Sequence, residues 1–150
     1  ASHFSFNSAR EEASFLLLGD GGQLEMKEFQ DYPNLFQGVD LLSLAACDTA
    51  IGGSSNETNG KEIEGFAYVA QSLGAKSVIA SLWKVDDEGT RELMLEFYEI
   101  HLKNPQLPKG EALRQAQLAL LKGSSDKPNA EKPYAHPYFW SPFILIGNWK

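Results

Sequence analysis

Residues 60–83 read "GKEIEGFAYVAQSLGAKSVIASLW", and a change of period inside this stretch decides the fold. Ile63, Phe66, Ala67, Ala70 and Leu73 recur at three- and four-residue spacing, as on an amphipathic helix, and Gly74 is placed to end it. From residue 76 to residue 83 the apolar positions become consecutive, which suits a parallel strand covered on both faces. Upstream, "VDLLSLAAC" (39–47) reads as another strand. Strand 39–47, helix 61–74 and strand 76–83 have the length and order of a right-handed βαβ crossover. An α/β domain with a mainly parallel sheet is the expectation.

The rest of the chain fits this pattern. "SFLLLG" (14–19), closed by the turn signal "DGG", and "FILIG" (143–147) read as strands. "DDEGTRELMLEFYEIHL" (86–102) opens with acids, as a helix N-terminus favours, and carries Leu93, Met94, Phe97 and Ile100 on one side. "GEALRQAQLALLKG" (110–123) repeats the pattern with Leu113, Ala116, Leu120 and the stop residue Gly123, and "LEMKEFQDYP" (24–33) reads as a short helix. Residues 51–62 and 122–137 read as long loops, which in a compact domain are usually functional or disordered.

Composition limits the partners. The chain has 150 residues, 43% of them hydrophobic, and a formal net charge of −7. One domain of this size buries roughly 70% of the surface its unfolded chain exposes, enough for a real core. The negative charge, with no basic stripe, argues against nucleic acid or an anionic membrane as the main partner, whereas acidic clusters attract a basic ligand. A single cysteine rules out an internal disulfide, and neither a run of about 18 apolar residues nor a secretion signal is present, so the cytoplasm is the default location. The chain opens on "ASHFSF" without methionine and reads as a piece of something longer.

Cys47 ends the strand 39–47, and ligands of open parallel sheets bind beyond the carboxyl ends of the strands. No C-x-x-C, phosphatase signature, nucleophile elbow or glycine-rich phosphate loop accompanies it, so no metal and no cofactor is expected. A thiol with a pKa of about 8.5 is only a few per cent thiolate at neutral pH, so a catalytic Cys47 needs an imidazole nearby. His3, His101 and His136 are the candidates. His101 falls late in a helix and suits a solvated position near its C-terminus, while prolines and aromatics around His136 suggest a structural clasp. Against all of these stands the plain alternative that Cys47 is a buried, space-filling thiol.

The stretches "ASHF", "SFLLLGDG", "LLSLAACDTAIG", "GKEIEGFAYVAQSLGAKSVIASLWKVDDEGT", "EALRQAQLALL" and "HPYFWSPFILIGNW" resemble, in order, the CHAT domain. This is a bacterial caspase-like domain of the clan that includes separase, gingipain and the caspases. The resemblance implies a caspase-like three-layer sandwich. Residues 1–150 would be a single domain's C-terminal portion, from the histidine motif onward, with the first strands lying upstream of Ala1. It implies a cysteine endopeptidase with His3 as general base and acid and Cys47 as nucleophile, the backbone N–H groups of Phe4 and Cys47 stabilising the oxyanion. Family members usually carry threonine-histidine-glycine where this chain has Ser2, His3 and Phe4. A backbone N–H survives that change, but the Phe4 ring would crowd the substrate.

In the clan, the stretch after the tryptophan of the third strand supplies an acid to the pocket for the residue before the cleaved bond. Asp87 matches that position best, with Asp86 and Asp48 as further substrate-binding candidates, and a carboxylate there favours arginine or lysine. The same acids also suit a helix N-terminus, with no ligand involved. Tyr138, Phe139, Trp140 and Trp149 are expected to be core and edge cover around the last strand. The partners implied are a protein substrate, the upstream part of the same protein, where the family often has tetratricopeptide repeats, and a second copy through an open sheet edge. The rival to an enzyme is an inactive caspase-like scaffold or signalling module.

Overall fold

The computed structural model describes residues 4–5, 13–44, 47–48, 61–83, 85–123 and 133–150, with the backbone alone at 4–5, 47–48 and 61–65. In chain order the elements are β1 (Phe4–Ser5), β2 (Phe15–Leu17), β3 (Gln23–Glu25), a 3-10 helix (Met26–Asp31), β4 (Leu42–Leu44), β5 (Cys47–Asp48), α1 (Lys61–Ser72), β6 (Ser77–Ser81), α2 (Asp87–Lys103), α3 (Lys109–Lys122), a 3-10 turn (Pro137–Phe139) and β7 (Phe143–Gly147). The chain is α/β, as expected. It divides into two compact units, Ala1–Lys84 with Ile146–Asn148, and Val85–Leu145 with Trp149–Lys150.

The described strands form two sheets. One has the order β3-β2-β1-β5, with β1 antiparallel to β2, β2 antiparallel to β3, and β1 parallel to β5. The other has the order β4-β6-β7, with Leu42, Ser43 and Leu44 of β4 parallel to Val78, Ile79 and Ala80 of β6. All five residues of β6 are buried, Ser77 and Ser81 included, as a strand covered on both faces around the consecutive apolar Val78, Ile79 and Ala80 should be. Residues 39–47 are not one strand, however. Leu42–Leu44 pairs in one sheet and Cys47–Asp48 in the other, so this stretch serves both. Leu24 and Glu25, read as the start of a short helix, instead belong to β3, which pairs with β2 across the "GDGG" turn, and the helix starts only at Met26. Its first turn is tied down by the Glu25 N–H, which donates to Glu28 Oε2 at 2.8 Å.

α1 turns Phe66, Ala67 and Ala70 into a core shared with Phe29, Leu73, Ala75, Val78 and Ala80, against which Leu16, Leu24, Leu42, Leu44 and Ile146 pack. Small residues at 67 and 70 let the helix lie close on the strand. Phe29 meets Phe66 edge to face, with ring centroids 5.9 Å apart. Gly74 ends the helix region at φ +108°, where an added Cβ would stand 2.9 Å from the Gln37 backbone.

In the second unit α2 and α3 pack together, α2 burying Leu93 and Phe97 and α3 burying Ala112, Leu113 and Ala116. The periodicity of both sequences foretells Leu93, Phe97, Leu113 and Ala116, though not Ala112. Gln117 Nε2 donates to the carbonyls of Trp140 (3.1 Å) and Phe143 (3.0 Å), fixing the approach to β7. Of the aromatic set expected as core and cover, Phe139 and Trp140 are half-buried, whereas Tyr138 and Trp149 are 46% and 55% exposed.

Candidate active site

The parallel pairing of β1 with β5 sets the site's backbone geometry. Phe4 stands directly opposite Cys47, and Ser5 opposite Asp48. Because β1 also pairs with β2 and β2 with β3, Leu24, Leu16, Phe4 and Cys47 form one row across the sheet, and Glu25, Phe15, Ser5 and Asp48 the next. Leu16 and Leu24, in the row of Cys47, pack against the buried cluster of Phe29 and Phe66. His3, the expected base, lies outside the described residues; Phe4, its chain neighbour, is described in its backbone.

Asp86 and Asp87 belong to the second unit, at the start of α2. Asp86 is the N-cap, its Oδ1 accepting from the Gly89 N–H at 2.8 Å. Glu88 Oε2 accepts from the Tyr134 hydroxyl at 3.1 Å. Partial burial, this hydrogen bond and the nearby charges of Glu88, Asp86 and Glu92 push the Tyr134 phenol above its ordinary pKa. Asp87 is exposed in the helix's first turn. Asp86 and Glu88 are therefore bound to helix and loop, while Asp87 has no such partner among the described residues.

Sequence reading missed the link between Tyr134 and Glu88, which are 46 residues apart. One local sign was present: Gly89 sits inside a helix, where glycine is costly, and such a glycine often marks a close approach. A Cβ there would stand 2.9 Å from Phe139 Cδ1.

The other histidines behave structurally. His136 caps the 3-10 turn, its Nδ1 accepting from the Tyr138 N–H at 3.2 Å, which is the clasp its surroundings suggested. The His101 ring stacks on Phe97 with centroids 5.7 Å apart, and its Nδ1 is buried with no hydrogen-bond partner among the described residues. Among the described residues no cluster of histidine, cysteine and acids is arranged to hold a metal ion, and no helix is long and apolar enough to cross a membrane.

The parallel pair of β1 with β5 thus lies in an α/β chain of mixed sheets and helices. Comparison with family models agrees: the CHAT domain model matches residues 1–148, and the chain belongs to the CHAT domain family. No curated protein matches it.

Proposed function

We propose that this chain is the C-terminal part of a cysteine endopeptidase domain, with Cys47 as nucleophile and His3 as general base and acid. The observation that carries this reading is the parallel pair in which Phe4, the residue after His3, stands opposite Cys47. The Cys47 thiolate attacks the carbonyl carbon of the scissile peptide, forming a C–S bond while the carbonyl electron pair moves onto oxygen. Backbone N–H groups of Phe4 and Cys47 receive that oxyanion. As the C–N bond breaks, the His3 imidazolium gives its proton to the leaving amine. Water, deprotonated by His3, then attacks the thioester, the C–S bond breaks and the thiolate returns. Asp87 is the acid of the pocket for a basic residue before the cleaved bond, with Asp86 and Asp48 as lesser candidates. A protein substrate in the cytoplasm, and upstream regions of the same protein as regulators, complete the proposal.

A second reading has its own observation. The backbone of Cys47 stands in one sheet row with Leu16 and Leu24, which pack against the buried cluster of Phe29 and Phe66, and a row of that kind suits an inactive scaffold. Active-site labelling decides between the two. The longest natural form of the protein is treated with an arginyl acyloxymethyl ketone, alongside Cys47→Ala and His3→Ala. Labelling that needs Cys47 and weakens without His3 supports the enzyme; no labelling supports the scaffold.

A further inference from the structure

We propose that the outer face of α2 is a docking surface for an amphipathic helix of another protein, one whose apolar stripe is flanked by lysine or arginine. The inference stands apart from the peptidase reading. A surface helix that meets one neighbour needs one apolar stripe, and α2 has two. Gly89, Leu93 and Phe97 form the first, which is buried. Leu95, Tyr98 and Leu102 form the second, on the opposite side of the helix at 100° per residue, and they are 54%, 37% and 73% exposed.

The second stripe has the spacing of a coiled-coil seam. Arg91, Leu95, Tyr98 and Leu102 follow one another at four, three and four residues, the alternation that keeps a seam facing a partner helix. The seam runs about three turns, from Arg91, whose long stem covers apolar surface, to Leu102 just before the Asn104 cap. Tyr98 is braced in advance: its ring meets Phe97 edge to face, centroids 5.1 Å apart, so binding has little left to order there. Tyrosine is also one of the residue types that carry most of the energy of interfaces.

Charge on the flanks identifies the occupant. Glu92 and Glu99, each one residue after a seam position, line one flank, while Met94 and His101 line the other. Over its whole length α2 has five acids against two bases. Each flanking acid has a base on its own helix, Glu92 with Arg91 at 2.7 Å and Glu99 with Lys103, but exposed pairs of this kind hold little energy and exchange readily. A partner helix that sets bases along this flank is complementary. A second copy is not. Antiparallel α2 helices would place Glu92 against Glu99, and parallel ones would face both acids with Met94 and His101. The net charge of −7 on each chain opposes self-pairing as well. Three apolar anchors make a small, transient interface, with a dissociation constant of roughly 10–100 μM.

The test uses the longest natural form of the protein and a designed helical peptide of about three heptads, with leucine at the seam positions and lysine at both flanks. A peptide of the same composition in scrambled order, and one with glutamate in place of lysine, are the comparisons. Fluorescence anisotropy should show the lysine peptide binding in the range above and the other two at least about tenfold more weakly. Leu95→Ser combined with Leu102→Ser should weaken the lysine peptide about tenfold or more. Glu92→Lys combined with Glu99→Lys should reverse the preference toward the glutamate peptide, a gain that an unfolded protein would not give. A wild type that binds none of the peptides, or binds the scrambled peptide as well as the ordered one, overturns the docking surface. Binding that the serine substitutions leave unchanged lies elsewhere on the molecule and overturns it too. A preference that the lysine substitutions fail to reverse overturns the choice of a basic partner. So does a wild type that sediments as a dimer and is split by the serine substitutions, because a second copy then covers the face.

Discussion

Phe4 of β1 stands directly opposite Cys47 of β5, in parallel register. If the proposed His3–Cys47 pair operates, the thiol's reactivity at neutral pH depends on the imidazole. His3→Ala should lower the rate of Cys47 labelling at pH 7 by roughly 10²-fold or more, the usual contribution of a positioned base. The pH profile of labelling should also move up toward about 8.5, the value of an unassisted thiol. A profile that already has its midpoint there in the wild type, and does not move in His3→Ala, speaks for the scaffold.

Asp86 and Asp87 are neighbours with different duties, and stability separates them. Asp86→Ala removes the oxygen that accepts from Gly89 and should cost about 1 kcal/mol in denaturant unfolding, whereas Asp86→Asn keeps a capping oxygen and should cost a few tenths at most. Asp87→Asn removes only an exposed charge near the helix N-terminus and should also stay within about 0.5 kcal/mol. A large loss in Asp87→Asn would show that its carboxylate is committed to the fold and not open to a ligand.

Elements with a sustained period were legible in the sequence. Phe66, Ala67, Ala70 and Leu73, then Leu93 and Phe97, then Leu113 and Ala116 are buried as their spacing foretold, because one helical face must meet the core. β7 was read at its observed bounds, 143–147, and β6 within one to two residues. What failed was pairing. "VDLLSLAAC" has no turn residue between Leu44 and Cys47, so nothing in it marks the point where the chain leaves β4's sheet and joins β1's. β3 was hidden because "QLE" is too short to show alternation, although "GDGG" before it is a hairpin signal. The site was legible only as residue types. Asp86's cap follows from local rules, but the Tyr134–Glu88 bond joins segments whose separation no periodicity encodes.

Gly147 should tolerate no side chain. Its φ is +95°, and an added Cβ would lie 2.6 Å from the Lys76 carbonyl oxygen, which also accepts from the Asn148 N–H at 2.9 Å. The clash is with backbone, so neither partner can rotate away. Gly147→Ala combines left-handed strain with overpacking and should destabilise by about 2 kcal/mol or more. Gly110→Ala is the control, since its Cβ would meet nothing closer than Trp149 Cβ at 3.6 Å. Alanine is also the better helix former, so that variant should be neutral or stabilised by up to about 1 kcal/mol. Equal midpoints for the two variants would mean that the chain end at 146–148 is not held against Lys76 in solution.

On α3, Glu111 takes two hydrogen bonds from the Arg114 guanidinium, at 2.6 and 2.7 Å, and one from Gln115 at 2.8 Å. Arg114 first, then Gln115, lowers the Glu111 carboxyl from 4.5 to about 2. A carboxyl depressed by folding adds stability that is fully present above its unfolded pKa and lost as pH falls through the folded one. The stability gap between wild type and Arg114→Gln should therefore be constant above pH 5 and close between about pH 4.5 and pH 2. The pair is solvent-exposed, so raising the salt should shrink the gap at every pH. Carbon-detected NMR titration of the Glu111 carboxyl gives the direct check: a midpoint near 2 in wild type should rise toward 4.5 in Arg114→Gln. A midpoint near 4.5 in both would mean that the Arg114 fork is not formed in solution, and the acid limb of the stability curve would then have to come from other carboxyls.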